Sequence, residues 1–118
     1  MTPEKFDEHL MARIDKTTSV LKSKAGEYAS GNERFHNFIR AAEILGTTRQ
    51  KALVGMMVKH IVSVFDIVEQ SAYGLFPKDE VIEEKIGDSI NYLILLEAMI
   101  KEDKLECEKL KVNALKAR

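Results

Sequence analysis

The stretch EEKIGDSINYLILL, residues 83–96, decides the fold because it places polar side chains at helical spacing within an apolar run. Residues three and four positions apart share a helix face, so Glu84, Asp88 and Asn91 form one polar stripe. The apolar contact area comes from Ile82, Ile86, Ile90, Leu93 and Ile94. A carboxylate at the edge of a packed helix is costly unless it meets a cation, a metal or hydrogen-bond donors. The stripe is therefore either a solvated helix boundary or half of a ligand site.

Composition limits the class of protein. With 118 residues, 45% hydrophobic and 31% charged, the chain fits one domain covering residues 1–118. The formal net charge of −1 gives no support for a nucleic-acid-binding surface, which would normally be clearly basic. The single cysteine, Cys107, has no intramolecular partner and suits a reducing compartment. The polar N-terminus does not resemble a signal peptide, and the apolar runs are too short to span a bilayer. We expect a cytoplasmic protein with no membrane partner.

Capping signals and helical periodicity predict four principal helices. Thr2 and Pro3 indicate the start of the first helix, which is expected to reach about Tyr28 and to bury Phe6, Leu10, Ile14, Leu21, Ala25 and Tyr28. The second helix is expected from about Glu33 to Leu45, with Phe35, Phe38, Ile39, Ala42 and Leu45 buried and Gly46 as terminator. The third is expected from Arg49, behind the cap signal Thr47-Thr48, to about Tyr73. Asp79 is expected to cap the fourth, which ends in a charged tail.

No alternating apolar run predicts a strand, so the predicted fold is all-α: an antiparallel bundle of four principal helices. The third and fourth helices are apolar over most of their circumference. One small bundle has about one core, so such helices need a second layer to cover them. We therefore expect a homo-oligomer, either a dimer or a tetramer.

A second polar stripe runs through the third helix, where Lys59, Ser63, Asp66 and Gln70 recur at three- and four-residue spacing beside His60. Two neighbouring helices with one polar stripe each are expected to line a cleft between them, as ligand sites in bundles do. Two ordinary alternatives remain at this stage. His60 could be a hydrogen-bonded histidine at the edge of the core, and Lys59 could extend its ammonium group into solvent.

Cations and aromatic rings alternate between Lys22 and Phe38. The cations Lys22, Lys24 and Arg34, together with His36 and Asn37, stand among Tyr28, Phe35 and Phe38. This combination suits a phosphorylated ligand with a flat ring, because aromatic side chains stack on a base and cations pair with phosphate. The alternative is that the rings belong to the core and the charges to its solvated rim. Under the ligand hypothesis, Lys24, Arg34 and Lys59 are expected to converge on the phosphates.

Four motifs together resemble a known family: KAGEY at 24–28, RFHNF at 34–38, MMVKHIVSVFD at 56–66 and EEKIGDSINYLILLEA at 83–98. They are similar to small phage and prophage proteins of the MazG-like, all-α nucleotide pyrophosphohydrolase kind, including domains described as nucleotide-modification associated. The resemblance covers about residues 20 to 100. In the catalytic members, carboxylates in E-E-x-x-E and E-x-x-D patterns hold magnesium, and water attacks a nucleoside triphosphate.

This chain departs from those patterns. Asp88 matches the last position of the second pattern, but Lys85 stands three residues before it, and the third helix offers only Asp66 and Glu69. A lysine in place of a carboxylate removes a magnesium ligand and adds a charge that repels the ion. The resemblance therefore implies nucleotide recognition more strongly than hydrolysis. In a phage setting within the host cytoplasm, it suggests sequestration of a nucleotide or cyclic nucleotide signal of host defence, without a cofactor.

Three functional hypotheses follow. The first is a nucleotide-binding oligomer; its expected ligand residues are Lys24, Tyr28, Arg34, Phe35, Asn37, Lys59, His60, Ser63, Asp66, Glu84, Asp88, Asn91 and Tyr92. The second is a magnesium-dependent pyrophosphohydrolase using Asp66, Glu69, Glu84 and Asp88, with the metal on Asp66, Glu84 and Asp88. The third is a helical module that binds a partner protein through its apolar faces. Magnesium dependence separates the first two hypotheses, and nucleotide-induced thermal stabilisation separates both from the third.

Overall fold

The computed structural model describes residues 1–23, 25 and 31–117. It contains four α-helices: α1 at Pro3–Ser23, α2 at His36–Leu45, α3 at Arg49–Ser71 and α4 at Asp79–Lys116. These described residues contain no extended β-strand. The predicted all-α fold with four principal helices is confirmed.

Local side-chain caps set two of the helix starts, as the sequence predicted. The amide of Lys5 donates to Thr2 Oγ1 at 3.2 Å, and the amide of Lys51 donates to Thr48 Oγ1 at 3.2 Å. Gly46 ends α2 with φ at 66°, a left-handed conformation that costs glycine little because it has no Cβ.

Two predicted boundaries differ from the structure. Helix α2 begins at His36 and not near Glu33, because residues 31–35 are not helical: Glu33 forms an isolated β-bridge and the residues on either side of it form turns. The N-cap of α4 is Lys78 and not Asp79, which lies in the first helical turn. An acidic residue there still interacts favourably with the partial positive charge of the helix N-terminus.

Helices α3 and α4 form an antiparallel hairpin, which contains the most extensive helix contact in the described chain. At its open end, the Arg49 guanidinium donates to Glu102 at 3.0 Å and to Asp103 at 2.7 Å. Burial alone would lower the pKa of Arg49, but the hydrogen bonds to these two carboxylates outweigh it and raise the pKa. Further along, His60 Nδ1 lies 3.4 Å from Asp88 Oδ2. Later residues of α3 therefore contact earlier residues of α4, so the two helices run in opposite directions.

The core lies where α2 joins the open end of the hairpin. It consists of the buried side chains Phe35, Phe38, Leu53, Leu95 and Met99. The Arg49 guanidinium covers this cluster from outside, with its carbon 5.3 Å from the centre of the Phe35 ring. Arg49 therefore connects the aromatic core to the acidic residues of α4.

Helix α1 packs on α4 alone among the described helices, and it runs in the same direction as α4. Near its middle, Lys16 Nζ reaches Glu83 Oε2 at 2.9 Å. Near its end, Leu21 lines a groove together with Leu95. Later residues of α1 therefore lie beside later residues of α4. The helix contacts place the four helices side by side in the order α2, α3, α4, α1.

The molecule is elongated, with a Cα radius of gyration of 18.4 Å and extents of 64 × 35 × 28 Å. A compact domain of this length would have a radius of gyration of about 13.5 Å. Residues 104–117 are all exposed. The predicted apolar face of α1 is also exposed, with Phe6 at 52%, Leu10 at 42% and Ile14 at 47%. Its amphipathic spacing is present, but the described part of one chain supplies nothing to cover it. None of the described helices is long and apolar enough to cross a lipid bilayer.

Candidate functional site

A cleft of about 380 Å³ lies between α1 and α4 and includes the polar stripe predicted from the sequence. Helix α1 contributes Arg13, Lys16, Thr17 and Val20, and α4 contributes Glu80, Glu83, Glu84, Gly87, Asp88 and Asn91. Its volume is within the range of about 300 to 1,000 Å³ typical of small-molecule sites. The two helices therefore bring cations, carboxylates, a hydroxyl and an amide to one ligand-sized space.

Both cations of the cleft donate hydrogen bonds to Glu83. Arg13 Nη2 donates to the backbone oxygen of Glu83 at 3.0 Å, and Lys16 Nζ donates to the Glu83 carboxylate at 2.9 Å. The hydrogen bond from Lys16 lowers the pKa of Glu83. These bonds use one N–H of the guanidinium and one of the ammonium, so both groups keep donors for a ligand.

Gly87 makes room for the Arg13 side chain. A Cβ atom built on Gly87 would lie 2.5 Å from Arg13 Nη1, which is closer than nonbonded atoms approach, and 3.4 Å from its Cζ. The guanidinium therefore lies directly against the backbone of α4. A glycine in a buried helical position costs helix stability, and here the close approach of Arg13 gives a physical reason for it.

Two of the residues that line the cleft, Thr17 and Asn91, each have a buried side-chain oxygen atom. Thr17 is only 9% exposed, and neither its Oγ1 nor Asn91 Oδ1 has a hydrogen-bond partner among the described residues. A helical threonine commonly bonds the carbonyl four residues earlier, so the state of Thr17 is unusual. Burying such a group without a partner costs about 1 to 3 kcal/mol. A polar ligand could recover this free energy.

Asp88 joins the cleft to the α3–α4 hairpin. Its carboxylate lines the cleft and also lies 3.4 Å from His60 Nδ1. The His60 ring packs against Tyr92 with centroids 5.3 Å apart and an angle of 38°. These three side chains were all predicted as ligand residues, and the structure brings them together. Only Asp88 reaches the cleft itself.

The remaining predicted residues of α3 lie elsewhere. Lys59, Asp66 and Glu69 are exposed, and Ser63 donates its hydroxyl to the backbone oxygen of Lys59 at 3.0 Å. None of them lines the cleft. The polar stripe of α4 therefore faces α1, and not the polar stripe of α3 as the sequence indicated. The packing of the whole helix pair decided this, because α3 turns His60 and its apolar side toward α4.

The predicted residues near α2 are also separated from the cleft. Phe35 is 7% exposed and belongs to the core, so its ring offers no open face to a base. Arg34 Nη2 donates to the backbone oxygen of Leu21 at 3.2 Å, and Asn37 is exposed in the first turn of α2. Lys24 and Tyr28 lie outside the described residues. Arg34 lines a groove together with Leu21 and Leu95, and Lys59 does not line that groove. The expected convergence of the cations on a phosphate stays a prediction.

Sequence reasoning missed the contribution of α1 to the site. Arg13, Lys16, Thr17 and Val20 have the spacing of one helix face, and a threonine within the apolar stripe of α1 was the available signal. A second signal was Gly87, four residues before Asn91, because a glycine inside a helix often marks a close approach. Neither signal identifies which helix approaches.

Four carboxylates line the cleft: Glu80, Glu83, Glu84 and Asp88. Within the described residues, no group of three histidine, cysteine, aspartate or glutamate side chains is arranged to hold a metal ion.

No protein-family model, curated protein or solved structure is detectably similar to this chain.

Proposed function

We propose that this protein binds a phosphorylated nucleotide in the α1–α4 cleft and holds it without hydrolysing it. The observation that carries the proposal is a pair of buried oxygen atoms, Thr17 Oγ1 and Asn91 Oδ1, that have no hydrogen-bond partner among the described residues. Both belong to residues that line the cleft together with two cations. A nucleoside offers N–H and O–H donors to the amide oxygen and either a donor or an acceptor to the hydroxyl. Binding would supply the missing hydrogen bonds.

Arg13 and Lys16 are the groups for the phosphate. Each is already oriented by Glu83, so little side-chain entropy is lost when a phosphate joins. A guanidinium and an ammonium both form strong charge-assisted hydrogen bonds to phosphate oxygens. The phosphate is therefore assigned to the edge of the cleft near residues 13–16, and the nucleoside to the part near Thr17 and Asn91.

The carboxylates limit where an anion can sit. The Glu83 charge is paired with Lys16, and the Glu84 side chain is 62% exposed, so solvent screens its repulsion. Asp88 lies on the inner side and can accept hydrogen bonds from a ribose hydroxyl or a base amino group. The volume suits one nucleotide unit, linear or cyclic. Sequestration of a nucleotide signal in host defence remains the biological role that the family resemblance suggests.

The test removes the Thr17 hydroxyl while keeping the side-chain shape. Thr17→Val should leave the ligand-free protein as stable or more stable, by roughly 1 kcal/mol, because a buried group without a partner is removed. The same change should weaken nucleotide binding about 3- to 10-fold, the equivalent of one lost hydrogen bond. Thr18→Val is the matched control, because Thr18 is the adjacent threonine and is exposed.

Ligands are found by thermal shift with nucleoside mono-, di- and triphosphates, cyclic mono- and dinucleotides, free nucleosides and inorganic phosphate, followed by calorimetry. A stabilising nucleotide whose affinity falls with Thr17→Val but not with Thr18→Val supports the proposal. The proposal is overturned if no nucleotide stabilises the protein, or if Thr17→Val binds the stabilising nucleotide as tightly as the parent protein does.

A second candidate is a magnesium-dependent nucleotide pyrophosphohydrolase. The observation that favours it is that four carboxylates and two cations line the same cleft, so that its formal charge is negative. A triphosphate entering such a cleft would be helped by a divalent ion that its own oxygens and the carboxylates share. Release of pyrophosphate from a nucleoside triphosphate, dependent on magnesium and lost in Asp88→Asn, would establish this candidate in place of simple binding.

A further inference from the structure

Helix α3 has a second apolar face, on the side away from α4. Val54, Val58, Ile61, Phe65 and Val68 follow one another at spacings of four, three, four and three residues, which places them in one row along the helix. Val58 is 50% exposed, Phe65 67% and Val68 61%. We call these five residues the α3 outer row. Ile61 is half-buried and the other four side chains are exposed, so the described part of the chain covers the row only in part.

The spacing and shape indicate what covers this row. A repeat of three and four apolar positions is the pattern by which one α-helix packs along another. The outer row extends from Val54 to Val68, which is about 21 Å at a rise of about 1.5 Å per residue. The exposure of Val58, Phe65 and Val68 shows that one copy leaves much of this side of the hairpin uncovered. A second helical layer would cover it.

Charge at the two ends of the row selects the direction of that helix. Lys51 stands three residues before Val54, and Glu69 stands four residues after Phe65, so both continue the row. Neither has an ion-pair partner among the described residues. If two copies of α3 packed in parallel, Lys51 would meet Lys51 and Glu69 would meet Glu69. Packed antiparallel, each lysine meets a glutamate.

We propose that two copies of this chain associate through the α3 outer row, with their α3 helices antiparallel. In the register that pairs the charges, Phe65 packs on the partner's Val54 and Val58 packs on the partner's Ile61. Lys51 then lies beside the partner's Glu69 at both ends, and the whole apolar row is covered. Because α4 is the helix on which α1 packs among the described helices, the two clefts stay open and separate, and this association does not depend on what they bind.

The first test measures mass by sedimentation equilibrium or light scattering at micromolar concentration. The parent protein is expected at twice the 13.4 kDa of one chain, and Phe65→Glu at 13.4 kDa with unchanged helical circular dichroism. Leu110→Glu is the matched control, because Leu110 is 66% exposed against 67% for Phe65 but lies on the α4 tail. A monomeric parent, or dissociation by Leu110→Glu and not by Phe65→Glu, overturns the proposal.

The second test determines the direction. Lys51→Glu and Glu69→Lys should each raise the dimer dissociation constant roughly 3- to 10-fold, because each places like charges at both ends of the interface. The double variant should restore the parent value, since it exchanges the partners and keeps opposite charges together. Single variants that associate as tightly as the parent, or a double variant weaker than both, would exclude the antiparallel register.

Discussion

Replacing Gly87 with alanine adds one methyl group where the Arg13 side chain lies against α4. Alanine is more favourable than glycine inside a helix by about 0.8 to 1.0 kcal/mol. Against this gain, the new Cβ would stand 2.5 Å from Arg13 Nη1, so the guanidinium must move and release its 3.0 Å bond to the Glu83 backbone. A hydrogen bond of this kind contributes about 0.5 to 1.5 kcal/mol, and the lower end applies at an exposed site.

The two effects nearly cancel, so Gly87→Ala should change the free energy of unfolding by less than about 0.5 kcal/mol. Gly55→Ala is the matched control, because Gly55 also lies inside a long helix and a Cβ there meets nothing within 4 Å. It should give the full gain of about 1 kcal/mol. Both values come from urea denaturation with a shared m-value. The nucleotide affinity of Gly87→Ala should fall, because Arg13 no longer reaches the phosphate.

Two results would refute this reasoning. If Gly87→Ala stabilises the protein as much as Gly55→Ala, Arg13 does not lie across Gly87. If it destabilises by more than about 2 kcal/mol, the methyl group displaces the backbone of α1 or α4 and not the flexible end of Arg13.

Three further predictions concern the core, the hairpin end and the cleft. Leu53 is fully buried, so Leu53→Ala should lower the free energy of unfolding by about 2 to 5 kcal/mol in urea denaturation. A loss of less than about 1 kcal/mol would show that the Leu53 side chain is not enclosed. The hydrogen bonds from Gln50 and Arg49 hold the pKa of Asp103 below its ordinary value of 3.8, so its carboxylate stabilises the fold above that pH. This contribution to stability is lost as the pH falls through the lowered pKa. The free energy of unfolding of Asp103→Asn should therefore change less between about pH 7 and 3 than that of the parent protein. An equal change in both proteins would contradict this prediction. Asp88→Asn should weaken nucleotide binding equally with magnesium or a chelator in calorimetry, whereas a loss seen only with magnesium would place a metal on Asp88.

The sequence alone predicted the helices well because their ends depend on nearby residues. Thr2, Thr48 and Gly46 act within four residues of their own positions, and the structure contains all three predicted features. The spacing that put Glu84, Asp88 and Asn91 on one face was equally local, and all three line the same cleft. Covalent geometry and the period of the helix suffice for statements of this kind.

Only the tertiary structure decided which surfaces meet. Periodicity shows that α4 has a polar face, but not that α1 covers it. Arg13 and Thr17 therefore line the cleft without having been predicted, whereas Lys59 and Phe35 do not line it. Periodicity also predicted that Phe6 would be buried, yet burial requires a neighbouring surface, and the described chain places none over it. The pairing of helices depends on contacts between residues far apart in sequence, such as Lys16 with Glu83. The free energy of those contacts is distributed over whole helix surfaces, so the pairing of helices cannot be predicted from local sequence patterns.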